Sequence, residues 1–288
     1  KALLVGVFIG MSLATTLSAA APIYLTSLSQ LSFNISLDRL SKGELRLKVF
    51  APKTTLTENS IQKTEDILDR AIEKHLSEIY AYRERFLKGG DLILGREETP
   101  LPAVGDPPTE VLIGQFVRLS NLENHITVIE GRMAGDTVLA REQGPEVEVA
   151  VGTESVKKYQ LGIGDILTLA PDLQIPTRVT ARVVGIIEPD NLNDGYWSSA
   201  GIYVNPPPLG DLYNAPDGVI VDDSLFPITL FVSEKIMVSG IGGAYPGTVV
   251  LPVWDMVVSR DQLKRWPLSQ SRGRFESFER QLIDEMPG

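Results

Sequence analysis

The hydrophobic positions change in character along the chain, and the first stretch is almost wholly apolar. From Ala2 to Leu25 no residue is charged. As a helix rising about 1.5 Å per residue, this run covers roughly 36 Å, enough to cross a hydrocarbon core of about 30 Å with some tilt. The pattern therefore predicts a transmembrane helix. Lys1 marks its inner end and Tyr24 its outer interface, which places the bulk of the chain outside the membrane.

The apolar run continues into an amphipathic pattern. Leucine and isoleucine recur at helical spacing among serine, glutamine and asparagine residues. These apolar positions are Leu28, Leu31, Ile35 and Leu37. We therefore expect residues 1–37 to form one element, a membrane helix and its outward extension. Pro22 is the weak point of this helix, because an interior proline costs about 3 kcal/mol, and both a straight helix and a kink at Pro22 stay open.

Two glycines of the predicted membrane helix form a candidate packing face. Gly6 and Gly10 lie four residues apart, on one side of the helix. Small residues at this spacing let a second helix approach closely, and close packing drives helix association in a bilayer. The alternative is that a membrane helix simply tolerates glycine here.

The small residues near Ala21 also fit a signal-peptide cleavage site. The apolar region of a signal peptide is normally about 7 to 15 residues, shorter than this run. The membrane helix is therefore favoured. A cleaved peptide would instead make the protein a secreted binding module, and this alternative stays open.

The remainder of the chain predicts a mixed α+β domain of two subdomains. One, at 38–105, contains a strand at 44–50 and a long amphipathic helix at 60–88, ended by Gly89 and Gly90. A Pro/Gly-rich connector at 97–108 leads to a strand-rich part at 106–288. This part has a short helix at 153–160, a flexible glycine-rich hairpin or loop tip at 239–247 and a helix at 273–286. Alternating patterns predict its strands at 111–119, 125–131, 146–151, 165–170, 177–188, 227–233 and 247–258.

The composition of the chain excludes several classes of function. Asp and Glu outnumber Lys and Arg by 37 to 27, and the net charge of -10 argues against a nucleic-acid surface. The absence of cysteine excludes disulfides, thiol catalysis and thiolate metal sites. The sequence contains no P-loop, no nucleophile elbow and no H-E-x-x-H pattern. We therefore expect no enzyme, and no catalytic, cofactor-binding or metal-binding residue in this chain. An exported enzyme with an unrecognised site is the less favoured alternative.

The most specific stretch is 146–197. It reads as a strand, a short helix capped by Thr153, a turn through Gly162 and Gly164 ending in Asp165, and two further strands. The glycines allow the left-handed backbone needed where helix turns to strand. The Asp165 carboxylate is placed to bond to turn amides.

This order resembles the extracytoplasmic domain of FtsX-like and MacB-like ABC transporter permeases. In these permeases a glycine-rich phrase ending in Gly-Asp follows a short helix and precedes a strand ending in VVGI. "HITVIEGRM", with Gly131 and Arg132, resembles an earlier strand end of the family. "EPDNLNDGYW" resembles the family's acidic, aromatic-ended stretch, and "AAAPIYLTSLSQLSF" resembles the exit of its first membrane helix. The matching residues of the central phrase and strand are Leu161 to Leu169, with Gly162, Gly164 and Asp165, and Val183 to Ile186, with Gly185.

The resemblance implies the membrane subunit of an ABC system in the bacterial plasma membrane, with a MacB-like periplasmic core. ATP is then bound by a separate cytoplasmic ATPase, and no cofactor by this chain. Other expected partners are membrane lipid and a second permease copy, identical or related. The implied function is efflux, lipoprotein release or control of cell-wall hydrolases. Such permeases carry four membrane helices, with the large domain between the first and second, so we expect further membrane helices beyond this sequence.

Overall fold

The computed structural model describes residues 26–39, 45–210, 215–222 and 224–286, and these form a mixed α+β fold. The helices are α1 (26–39), α2 (Glu58–His75), α3 (Thr153–Tyr159), α4 (Trp197–Val204), α5 (Gly242–Ala244), α6 (Arg260–Leu263) and α7 (Leu268–Glu285), with a 3-10 turn at Leu122–Asn124 and a π-helix at Ile236–Ile241. The strands are β1 (Leu45–Phe50), β2 (Thr54–Thr55), β3 (Tyr80–Arg96), β4 (Thr109–Glu110), β5 (Leu112–Leu119), β6 (Ile126–Gly131), β7 (Val138–Arg141), β8 (Gly144–Gly152), β9 (Ile166–Ala170), β10 (Val179–Pro189), β11 (Val219–Ile220), β12 (Ile228–Phe231) and β13 (Val249–Val258).

The predicted membrane helix, Ala2 to Leu25, lies outside the described residues. Gly6, Gly10, Pro22 and Tyr24 lie outside them as well. Among the helices that are described, none combines the length and the apolar character needed to cross a membrane.

Eleven strands form one sheet, in which six strands close into a ring. The order along the sheet is β1-β13-β3-β5-β12-β8-β10-β6, and β9 pairs with both β10 and the second half of β3. The pairings β3-β5-β12-β8-β10-β9-β3 therefore close on themselves, and we call this set the six-strand ring. The first half of β3 pairs with β13, and β1 extends the sheet beyond β13.

Side chains fill the interior of the ring and cover both faces of its extension. Leu94, Leu169 and Leu230 belong to the core cluster within the ring. A second cluster packs helices α2 and α7 against one face of the β1–β13 extension, with Trp254 fully buried at its centre. A third cluster lies on the opposite side, where α4 packs, and includes Phe86. Strands from both sides of the predicted 97–108 connector thus pair within a single sheet.

The predicted helix at 60–88 is wrong in its second half. Helix α2 ends at His75, and β3 begins at Tyr80. Ile79 and Phe86 fit the helical stripe, and both are buried. However, Ile79 lies in the turn before β3, and Phe86 lies in β3 itself. Pairing with β13 over eight positions outweighs the local helical pattern. Gly89 and Gly90 lie in the middle of β3, where its register with β5 shifts, and do not end a helix.

Other elements follow the alternation in the sequence closely. Each predicted strand from 111–119 to 247–258 is present, and the predicted helix at 273–286 is confirmed as α7, which begins five residues earlier. The predicted glycine-rich hairpin at 239–247 is wrong, because most of it is helical. A β-carbon at Gly242 would lie 2.6 Å from the Leu56 carbonyl oxygen, so glycine lets this helix pack closely against the chain before α2.

Candidate functional site

The predicted turn at Gly162–Asp165 is formed as expected. The Asp165 carboxylate Oδ2 accepts a hydrogen bond from the Gly162 amide at 2.9 Å. Gly164 has a φ of +93°, in the left-handed region that favours glycine. The Gly164 amide donates to the Val183 carbonyl at 2.8 Å, and the Val183 amide donates to the Asp165 carbonyl at 3.0 Å. These bonds attach the turn to β10.

Thr153 begins α3 but does not cap it, because the N-cap is Gly152 and no side chain caps the helix.

Gly185 and Gly131 mark a close crossing of two chain segments. A β-carbon at Gly131, whose φ is +72°, would lie 2.2 Å from the Val184 carbonyl oxygen. The Arg132 amide donates to that same oxygen at 2.9 Å. The β10 register is irregular here against both β6 and β8. The stretches at 131–132, 162–165 and 183–185 therefore meet at one place, which we call the motif junction.

The charged groups of the motif junction are engaged in ion pairs. The Arg132 guanidinium donates twice to Glu148, with N–O distances of 2.7 and 2.5 Å. These bonds lower the pKa of the Glu148 carboxyl, and the Gly135 amide adds a third bond at 3.0 Å. Asp165 lies 3.6 Å from Arg96. Ile163, at the tip of the turn, is exposed. Charged side chains paired in this way fit a structural role, in which they hold β6, β10 and the turn together, better than a role in proton transfer.

Helix α1 is fixed to the rest of the fold along one side. The Gln30 side chain donates to the Trp266 carbonyl at 3.1 Å and accepts from the Leu268 amide at 2.7 Å. Asp38 pairs with Lys264. Leu37 is buried in the same core cluster as Trp266. We call this contact the α1 docking site.

The apolar positions of α1 do not lie on a single face. Leu37 packs inward with Phe33, which is half-buried against the same cluster. The other three apolar residues are exposed: Leu28 by 44%, Leu31 by 56% and Ile35 by 41%. Residues spaced by three and four share a helix face, so 30, 33 and 37 form one stripe and 28, 31 and 35 another. Of the four apolar positions in the predicted amphipathic pattern, only Leu37 therefore faces the core.

Trp266 is itself held firmly where α1 docks. Its indole N–H donates to Glu78 Oε2 at 2.8 Å, and Arg274 pairs with Glu78 Oε1 at 2.8 Å. The hydrogen bond from Trp266, followed by that from Arg274, lowers the pKa of the Glu78 carboxyl. The Arg274 guanidinium also lies 4.5 Å from the Trp266 ring centroid, within cation–π range. A displacement of α1 therefore acts on a residue that is tied to α7 and to the chain before β3.

Sequence reasoning missed a polar cavity beneath the acidic, aromatic-ended stretch. The cavity, of about 630 Å³, is lined by Arg46, Glu84 and His125 among others. His125 lies 3.1 Å from the Asp194 carboxylate and stacks on Tyr196 at 3.9 Å between centroids. The signal was present in β1, whose alternate face carries Arg46 and Lys48 instead of apolar residues.

Buried charge underlies this cavity. Asp255 is fully buried, lies 3.3 Å from Arg46 and accepts from the Ser199 hydroxyl at 2.5 Å. Glu84, its direct neighbour across β3 and β13, accepts from the Ser120 hydroxyl at 2.7 Å and from Asn121. Glu84 therefore accepts hydrogen bonds at both of its oxygens. Asp255 is paired only through Oδ2, and its buried Oδ1 has no hydrogen-bond partner among the described residues.

Comparison with protein-family models finds no match for this chain, and comparison with curated protein sequences finds none. The resemblance to permease domains thus depends on the short stretches quoted above. In the fold, three of these stretches, at 131–132, 162–165 and 183–185, meet at the motif junction.

Proposed function

We propose that this chain belongs to the membrane subunit of an FtsX-like or MacB-like ABC transporter, and that the described residues form its extracytoplasmic domain. A separate cytoplasmic ATPase subunit hydrolyses ATP. The predicted membrane helix then moves, and α1, its continuation, carries that motion to the domain. The system serves efflux, lipoprotein release or control of a cell-wall hydrolase.

The observation that carries this proposal is the α1 docking site. A helix leaving a membrane span transmits motion only if it is attached to what it must move. Gln30 bonds to the Trp266 carbonyl, which lies between α6 and α7, and to the first amide of α7. Leu37 is buried in the core. A tether without such contacts would argue for a passively anchored domain. The motif junction supports the permease type, because the stretches that resemble the family form one structural unit.

Hydrogen exchange of the full-length protein with its ATPase, in lipid nanodiscs, tests the proposal. Trapping the ATPase with ATP and vanadate is expected to change exchange in peptides that cover α6 and the start of α7. Replacing both Gln30 and Asp38 by Ala removes the polar docking contacts and is expected to abolish this response. Ser36→Ala is the matched control, because Ser36 is exposed on α1 and its hydroxyl donates to the Ser32 carbonyl within the same helix.

Two results would contradict the proposal. One is that no ABC ATPase co-purifies with the full-length protein. The other is that the ATPase binds but no peptide of the domain responds to nucleotide. If the response persists in the Gln30→Ala/Asp38→Ala variant, the transmission route through the α1 docking site is excluded.

A further inference from the structure

Strand β1 lies at one end of the eleven-stranded sheet, and only one of its two sides is paired. Its partner is β13, and no other described strand pairs with it. Directly after β1, the Ala51 amide donates to the Pro252 carbonyl at 3.1 Å, so these two residues form a hydrogen-bonded antiparallel pair. Because such pairs alternate along a strand, the backbone groups of Val49 point towards β13, and those of Lys48 and Phe50 point away from it.

The outward backbone groups of β1 have no hydrogen-bond partner among the described residues. Two N–H and two C=O groups, at Lys48 and Phe50, lie along this open side. A row of unpaired donors and acceptors at a sheet edge is a template for a further strand. The Lys48 ammonium donates to the Ser198 carbonyl of α4 at 3.0 Å, on one face of the sheet, and so does not cover the edge.

The open edge borders a groove between β1 and α7, which we call the β1–α7 groove. Its volume is about 550 Å³, and four consecutive residues of β1, Leu47–Phe50, line it. Side chains alternate between the two faces of a strand, so a run of consecutive lining residues marks the edge of β1 instead of one face. The opposite wall is formed by about three turns of α7, from Arg272 to Ile283.

The walls of the β1–α7 groove are largely apolar, and their charges balance. Phe275, Phe278 and Leu282 contribute apolar surface from α7. Ile283 is 71% exposed, more than any other large apolar residue in the described part of the chain, and Phe50 at the edge is 64% exposed. The charged lining residues are two bases and two acids, namely Lys48, Arg272, Glu276 and Glu279. The groove therefore favours an uncharged ligand with apolar side chains.

We propose that the β1–α7 groove binds an extended peptide segment of a partner protein, with aliphatic side chains at alternate positions. The segment adds a strand to the sheet, and its backbone pairs with the outward N–H and C=O groups of Lys48 and Phe50. Every second side chain of the segment packs against the apolar wall of α7. Backbone pairing gives such complexes their affinity, and pockets for alternate side chains give their specificity. The groove shares no residue with the α1 docking site, so the inference does not depend on the proposed transport role.

A second copy of this chain fits the open edge less well than a foreign peptide. Two antiparallel registers pair most of β1 with another β1. They place Lys48 opposite either a second Lys48 or an Arg46. Like charges directly opposite each other in a sheet are destabilising. An uncharged peptide segment meets no such repulsion.

Ligand-observed NMR on the full-length chain in lipid nanodiscs tests this assignment. The probe is the capped hexapeptide N-acetyl-Gly-Val-Thr-Ile-Thr-Gly-amide, and it is expected to bind. Two derivatives carry backbone N-methyl groups, one at valine and isoleucine and the other at both threonines. Alternate amides of a strand point to opposite sides, so one derivative alone is expected to lose binding, by at least tenfold. Equal binding of the two derivatives, or no binding of the unmethylated hexapeptide, would overturn the assignment.

A pair of substitutions isolates the backbone of β1. Lys48→Pro removes the outward N–H, and Lys48→Thr removes the same side chain but keeps the N–H. Proline is tolerated at a sheet edge where its missing N–H faces away from the neighbouring strand. We expect Lys48→Pro to bind the hexapeptide at least tenfold more weakly than Lys48→Thr. Equal affinities would show that the edge does not pair with the peptide.

Ile283→Glu tests the α7 wall without changing β1, and it decides the matter if Lys48→Pro does not fold. It is expected to weaken binding of the hexapeptide at least tenfold, because it places a charge in the apolar wall. Val104→Glu is the matched control, since Val104 is 68% exposed and does not line the groove. Equal weakening by both variants would contradict the assignment.

Sedimentation velocity tests the alternative occupant. The unmodified chain and Lys48→Thr are expected to have the same oligomeric state as Lys48→Pro. If Lys48→Pro alone dissociates a dimer, a second copy of the chain occupies the edge, and the peptide assignment is overturned.

Discussion

Gly185 lies so close to Arg132 that a β-carbon on Gly185 would stand 2.0 Å from the Arg132 carbonyl oxygen. No side-chain rearrangement relieves such a clash, since both atoms belong to the backbone framework. We expect Gly185→Ala to lower the free energy of unfolding by about 2–4 kcal/mol, because the motif junction must open to admit the methyl group. Urea unfolding followed by tryptophan fluorescence measures this change.

Gly162 provides the control for that measurement. A β-carbon on Gly162 would meet no atom within 4 Å, and its φ is not in the left-handed region. Gly162→Ala is therefore expected to change stability by about 0.5 kcal/mol or less. If both substitutions cost the same, the close crossing at Gly185 is not what makes glycine necessary there.

The Arg132–Glu148 pair predicts a specific pH dependence. Hydrogen bonds from Arg132 lower the pKa of Glu148 below its ordinary value of 4.5. The stabilisation is therefore complete above the unfolded pKa and is lost as the pH falls through the lowered, folded pKa. Because the Arg132 side chain is 59% exposed, solvent screens the pair, and its contribution to stability at pH 7 is expected to be small.

Arg132→Gln is the variant that measures this contribution. The difference in unfolding free energy between the unmodified chain and Arg132→Gln is expected to shrink as the pH falls below the ordinary glutamate pKa of 4.5, because Glu148 becomes protonated in both. Arg272→Gln, which breaks an exposed pair within α7, is the control and is expected to have a smaller effect throughout. A difference that stays constant over this range would mean that Glu148 does not carry the effect.

Tyr245 holds two strands of the six-strand ring through its hydroxyl. The hydroxyl accepts from the Val179 amide at 3.1 Å and donates to the Leu169 carbonyl at 2.7 Å. Burial raises the pKa of Tyr245 to about 12. Tyr245→Phe is expected to destabilise the chain by about 1–3 kcal/mol, because it leaves a buried amide without an acceptor. Thermal or urea unfolding provides the measurement.

Tyr203 is a matched comparison for Tyr245. Burial also raises the pKa of Tyr203 to about 12, but its hydroxyl has no hydrogen-bond partner among the described residues. Tyr203→Phe is expected to cost about 0.5 kcal/mol or less. Equal costs for the two substitutions would assign the effect at Tyr245 to packing instead of to the hydrogen bonds.

The choice between membrane helix and signal peptide is open to direct measurement. We expect the protein from its native membrane to retain the residues before Ala21, because the uncharged run is longer than a signal-peptide core. N-terminal sequencing of the mature protein decides the matter. A start at Ala21 would contradict the membrane helix and favour the secreted binding module.

The strands were predictable from sequence where one face of each is buried. In the first part of β10, buried valine and alanine alternate with half-buried residues, and the observed range follows this pattern closely. The end of α2 was not predictable, because Ile79 and Phe86 continue the helical spacing of the preceding stripe although they pack on opposite sides of the sheet. Only pairing with β13, more than 150 residues further along the chain, decides between a helix and a strand here.

The sequence predicted the local turn of the site, but it did not predict the contacts that bring distant segments together. The turn chemistry of Gly162, Gly164 and Asp165 follows from local preferences, and the structure confirms it. The crossing of Gly185 with Arg132 depends on two strands that meet in space, which no local pattern encodes. The buried neighbours Glu84 and Asp255 were missed for a similar reason, because the two carboxylates come from different strands, β3 and β13.

Strand β3 has a mechanical consequence, because one continuous strand belongs to both the six-strand ring and the β1–β13 extension. Helix α6 follows directly on β13, so a pull applied through α1 is passed to β13 along its length. A force along β13 loads the hydrogen bonds between the antiparallel strands β13 and β3 in shear. These bonds then share the load, and they are not broken one after another. The ring beyond them has no free edge at which to slide. A pull on α1 should therefore move the domain as a body before any strand separates.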